Sequence, residues 1–92
     1  MPFDSISNYY EQLVFDSITK NVVVPNDVDH DDFLLDIACV ALNKLPARYI
    51  RHNVDMIFYT KTNEREEMLK LVDNTIQDAF KYVLKHHPKK NL

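Results

Sequence analysis

The sequence predicts a mainly α fold with a small β element: an α+β domain of about three helices, with a short hairpin between the second and third. Three observations predict it. Apolar residues recur at helical spacing over residues 10–18 and again over 68–84, and a nearly unbroken apolar run fills 33–45 between them. Prolines 25, 46 and 88 punctuate these stretches, and proline cannot continue a helix ladder. A stretch mixing β-branched and aromatic residues lies at 49–60. At 92 residues, 46% hydrophobic and 27% charged, the chain reads as one soluble globular domain, 1–92, near the size at which a single core is adequate.

Residues 1–4 read as a loose lead. From about 5 to 20, Tyr10, Leu13, Val14, Ser17 and Ile18 follow the i, i+3, i+4, i+7, i+8 pattern of one helix face. Asn8 with Glu11 three residues later makes a capping box; the alternative is a start at Asp4 or Ser5, with Asn8 and Glu11 on the helix surface. Val22-Val23-Val24-Pro25 breaks the helical period and reads as a connection. Asp27, Asp29, Asp31 and Asp32 follow, with His30 among them. Their spacing lacks the glycine and terminal glutamate of a calcium loop. Acids suit a helix N-terminus, so Asp29 or Asp31 is expected to cap a second helix running to about Leu45.

That helix is apolar nearly all round, which makes it central or shared with a second chain. A chain of this length has difficulty enclosing it alone, so a homodimer is expected. Asp36 and Asn43 sit seven apart inside the run, on nearly one face. Buried there, each needs a hydrogen-bond partner, since an unpaired polar group costs a few kcal/mol. Pro46 stops the helix. Cys39, the single cysteine, is expected to be inert packing among apolar neighbours. In 49–60, Tyr49-Ile50 and 56–60 read as two strands around His52-Asn53. Residues 63–87 form the longest helix, with a capping box at Asn63 and Glu66 and an apolar stripe through Met68, Leu71, Val72, Thr75, Ile76, Ala79, Phe80, Val83 and Leu84.

Several function classes are excluded or disfavoured. The chain has no glycine, so it can form neither a Walker nor a Rossmann phosphate loop. Ser5, Ser7 and Ser17 lie in no nucleophile context, His86 and His87 point to different faces of one helix, and the Asp32–Asp36 pair has no other catalytic group beside it. The expectation is therefore a non-enzymatic protein without a cofactor. Residues 1–46 hold eight acids and two bases, residues 47–92 six acids and nine bases, for a net charge of −3. That balance argues against binding a nucleic acid polymer. With no signal peptide and no apolar run near 18 residues, the chain reads as cytoplasmic, with no membrane association.

The central stretch, D-I-x-x-x-A-L-N-x-L-P-x-x-Y, on which Asp36, Ile37, Ala41, Leu42, Asn43, Leu45, Pro46, Arg48 and Tyr49 fall, resembles the signature of the bacterial late-competence ComFB family. Asn8-x-x-Glu11-x-x-Val14 is similar to that family's opening motif. There are two departures. Many relatives carry zinc-binding cysteines just before the D-I pair, whereas 22–35 here holds none, and Ala47 stands where L-P-P is usual. The resemblance implies a small regulator linked to cyclic dinucleotides. A residual metal site near Asp29, His30 and Asp32 is the minor alternative, and no metal ligand set is assigned.

For a ligand, the residues themselves offer Arg48 and Arg51 bracketing Tyr49. A guanidinium clamps phosphate or stacks on a purine, and tyrosine stacks on a base. The alternative is that Arg48 and Tyr49 bond Asp36 or cap the preceding helix. Arg48, Tyr49 and Arg51 are the candidate ligand contacts, with Asp36, Asn43 and Pro46 as organisers of the motif. The expected function is a homodimeric sensor of a cyclic dinucleotide, cyclic di-GMP first, that signals to a protein partner in competence or motility and surface behaviour. A protein-interaction scaffold without a small ligand is the alternative.

Overall fold

The computed structural model describes residues 2–51 and 62–88. A 3-10 turn at Pro2–Ser5 leads into strand β1 (Ser7–Asn8) and helix α1 (Tyr9–Asn21). Helix α2 (His30–Lys44), strand β2 (Tyr49–Ile50) and helix α3 (Thr62–His86) follow. The lead is thus more ordered than the sequence suggested: Ser5 Oγ donates to the Pro2 carbonyl at 2.9 Å.

α1 starts where the cap reading places it, not at Asp4 or Ser5. Asn8 is extended at the N-cap, and its Oδ1 accepts from the Tyr10 N–H. Tyr10, Leu13, Val14, Ser17 and Ile18 are all buried, as their spacing requires. Ser17, the polar member, donates to Asp73 Oδ1 of α3 at 2.7 Å and accepts from Asn21 Nδ2 at 3.2 Å, so its burial leaves no hydroxyl unpaired. Residues 22–25 form an irregular connection.

Asp29 caps α2, accepting from the Asp32 N–H at 3.0 Å, while Asp31 and Asp32 place negative charge in the first turn, where the helix dipole favours it. The other end is set by Pro46. Leu45, the residue before it, adopts φ −87° and ψ 146°, the extended region that a following proline enforces, and its N–H makes the last bond, to the Ala41 carbonyl. Phe33, Ile37, Ala38 and Ala41 form the buried face. α2 and α3 run antiparallel: Phe33 near the start of α2 meets Phe80 and His87 near the end of α3.

Val14, Phe33, Ile37 and Val72 are fully buried, one or two from each helix, and they centre the core where the three helices meet. On α3 the buried line is Met68, Val72, Ile76, Ala79 and Val83. It is narrower than the predicted stripe, since Leu71 and Leu84 are exposed and Thr75 and Phe80 are half-buried. The capping box at Asn63 and Glu66 is also corrected. The helix begins at Thr62, so Asn63 lies inside it, and Asn63 Oδ1 accepts from the next residue's N–H at 2.9 Å.

The β element is small, and its partner is not the sequence neighbour. β1 pairs antiparallel with β2, Ser7 opposite Ile50 and Asn8 opposite Tyr49. Ile50 points into the core and Tyr49 out to solvent, the alternation of a strand. The second predicted strand, at 56–60, and the His52-Asn53 turn lie outside the described residues. Among the described residues, no helix is long and apolar enough to cross a membrane.

Candidate functional site

The site is built around one side chain. Asn8 Oδ1 accepts from two backbone N–H groups, that of Tyr10 at 3.2 Å and that of Arg48 at 3.0 Å. The Tyr9 N–H returns a bond to the Arg48 carbonyl at 2.8 Å. The chain leaving Pro46 is therefore clasped to the start of α1 through the backbone of Arg48, across 40 residues of sequence. Asn8 does more than cap a helix: it joins the opening motif to the central one. Asn8→Ala is expected to remove both bonds and lower stability by about 1–2 kcal/mol, the upper part of the range for a lost N-cap because two bonds are lost. That corresponds to a fall of roughly 4–15 °C in melting temperature, and a thermal melt beside Asn8→Ser, which retains an acceptor oxygen, checks it.

The clasp engages only the backbone of Arg48 and not its side chain. Its Nη2 lies 3.1 Å from Glu64 Oε1 in the first turn of α3, with the two side chains 44% and 37% exposed. Arg48 therefore neither bonds Asp36 nor caps α2 with its side chain. Tyr49 is 68% exposed on β2, and Arg51 is exposed just beyond it. All three candidate contacts are exposed along one short segment, the edge formed by residues 48–51, with Arg48 leaning on α3 and the Tyr49 ring facing solvent. A shallow groove of about 240 Å³ runs from Asn8 along α1, but Glu11 and Asp16 line it and repel an anion. A larger groove of about 490 Å³ lies between α1 and α3, away from these residues, with Lys81 its one cationic lining residue.

Asp36 and Asn43 are not inside the core. Both are exposed, because α1 and α3 cover the face of α2 bearing Phe33, Ile37 and Ala41, and a spacing of seven returns to the outer face. Asn43 Nδ2 donates to its own helix, at the Cys39 carbonyl, at 2.9 Å. Asp36 Oδ2 meets His87 Nδ1 at 2.5 Å, and the imidazole is only 7% exposed against the Phe33 ring. Asp36 thus fastens the end of α3, while Arg48 fastens its beginning. Residues 64 and 87 are roughly 34 Å apart along a helix, so the two groups serve opposite ends of the molecule. Cys39, expected to be buried, is exposed on the outer face of α2 with Leu35, which is 61% exposed. Pro46 is exposed and acts only on the backbone.

Residues 7–87 match the family model of late competence development protein ComFB. The chain belongs to the ComFB family. No curated protein and no solved structure matches it. The matched span contains both motifs that Asn8 joins, so the clasp lies within the ComFB domain. Membership makes the chain a competence-related regulatory protein.

The zinc that the resemblance associates with many relatives does not fit these residues. No thiolate precedes Asp36, Asp29 is engaged as a helix cap, and His30 Nδ1 pairs with exposed Asp31 at 3.0 Å. Among the described residues, no three His, Cys, Asp or Glu side chains gather as a ligand set. Sequence reasoning also missed Glu64. No spacing links it to Arg48, and only the docking of α3 brings the two together.

Proposed function

We propose that this ComFB-family protein is a non-enzymatic, cytoplasmic sensor of a cyclic dinucleotide, cyclic di-GMP first. It passes the signal to a protein partner in competence or in motility and surface behaviour. The observation that carries the reading is the exposed Arg48–Tyr49 edge, held rigid by the Asn8 clasp. A guanidinium whose backbone is fixed needs little ordering to grip a phosphate, and an exposed tyrosine beside it offers a stacking face. Arg51 adds a second cation on the same edge.

A homodimer completes the proposal. Leu35 and Cys39 on α2 and Tyr82 on α3 leave apolar surface exposed, which supports pairing through that side. A symmetric dimer would present the arginine edge twice, matching a two-fold symmetric ligand. The same exposed surface favours the second reading, an interaction scaffold with no small ligand.

The test is a thermal-shift screen against cyclic di-GMP, cyclic di-AMP, GTP and ATP, with zinc and EDTA alongside. Ligand at 100 times its dissociation constant stabilises the native state by about 2.7 kcal/mol, worth roughly 10 °C or more for a domain of this size. A shift with one cyclic dinucleotide alone is the expected result. No shift with any nucleotide would turn the assignment to the scaffold, and a loss of stability in EDTA would reopen a metal site.

A further inference from the structure

The Arg48–Glu64 contact has a consequence for regulation of the ligand edge, one that rests on the nucleotide reading above. An arginine fork matches two anionic partners in geometry, carboxylate and phosphate, and cannot serve both fully on one edge. Glu64 Oε1, 3.1 Å from Arg48 Nη2, takes the position of a phosphate oxygen. Both side chains are partly exposed, so a dissolved phosphate reaches the pair. The bonds that hold Arg48 in place, to Asn8 Oδ1 and the Tyr9 N–H, use its backbone alone. Exchanging one anion for the other therefore requires only rotation of side chains, with no change in the clasp.

We infer that Glu64 is a built-in competitor for the ligand phosphate at Arg48. It sets the concentration at which the sensor responds, and it ties the first turn of α3 to occupancy of the site. When phosphate takes the guanidinium, Glu64 is released and α3 loses this ion pair with the segment after α2, while Ile50 stays in the core. The ligand would thus be read out at the start of α3, far from the Asp36–His87 contact that keeps the other end docked.

The experiment is calorimetric titration of the full chain with cyclic di-GMP, comparing wild type, Glu64→Gln, Glu67→Gln, Arg48→Ala and the Arg48→Ala/Glu64→Gln double variant. Glu67 is an exposed acid one turn along α3 with no ion pair among the described residues, so it measures the general effect of removing a nearby charge. Because the Arg48–Glu64 pair is solvent-screened, Glu64→Gln is expected to tighten binding by roughly two- to fivefold. Glu67→Gln should change it less, and the double variant should bind no more tightly than Arg48→Ala alone. Equal tightening in both glutamate variants, none in Glu64→Gln, or a gain that survives loss of Arg48 would overturn the inference. Binding by wild type that requires Arg48 but ignores Glu64 leaves the ligand reading standing and removes this one. If neither wild type nor Glu64→Gln binds, both fall.

Discussion

Phe33→Ala is expected to bring the domain close to unfolding. Phe33 is fully buried, and its ring packs edge-on against two others: Phe80 with centroids 5.8 Å apart, and His87 at 5.5 Å. Truncating a buried phenylalanine costs about 3–5 kcal/mol through lost transfer energy and the cavity left behind. Domains of this kind have only about 5–15 kcal/mol in total. A fall of more than about 10 °C in melting temperature follows. The ring also walls in the His87 imidazole that meets Asp36, so the end of α3 should loosen with the core. Phe33→Leu refills much of the volume and should recover most of the loss. Urea unfolding of the three proteins checks this: the midpoint should move with little change in slope. A Phe33→Ala protein within a few degrees of wild type would mean that α2 and α3 do not pack through this residue.

How much of this could be read from the chain depended on the range of each interaction. The caps that Asn8 and Asp29 make at the starts of α1 and α2 and the stop at Pro46 act within four residues of themselves, so their signals stand in the sequence. The buried face of α1 was legible for the same reason: a strongly two-sided helix shows its inner side. α2 offered no such contrast. It is apolar nearly all round, so nothing local decided whether Cys39, Asp36 and Asn43 faced the core, and the docking of α1 and α3 settled it. The strand pairing was less legible still. Two strands of two residues each have no periodicity to read, and the whole of α1 and α2 lies between them in the chain. The sequence identified Tyr49-Ile50 as a strand by residue type but had no means to point to Ser7-Asn8. The candidate contacts fell between these cases. Arg48 and Tyr49 were visible as residue types, whereas the Asn8 clasp and the Glu64 pair that give Arg48 its geometry arise only from the assembled fold.

Arg48→Ala separates the two roles of that residue, and its expected signature is a large loss of ligand affinity with a small loss of stability. The backbone role survives the substitution, because alanine has the same N–H for Asn8 Oδ1 and the same carbonyl for the Tyr9 N–H. Only the exposed pair with Glu64 is lost, and pairs of that kind contribute about 0.2–1 kcal/mol. The melting temperature should fall by a few degrees at most. Ligand binding loses charge-assisted hydrogen bonds to phosphate, worth about 1.5–3 kcal/mol, so the dissociation constant for cyclic di-GMP should rise roughly 10- to 150-fold. Arg48→Lys sharpens the test: it retains the charge but not the planar fork, and should fall between the two. Asn8→Ala should show the opposite balance, a clear loss of stability with ligand affinity reduced only as far as the edge is disordered. Calorimetry and thermal melts on the same samples distinguish the cases. If Arg48→Ala lost stability and affinity in equal measure, Arg48 would be a structural residue; if it kept full affinity, the ligand would bind elsewhere on the domain.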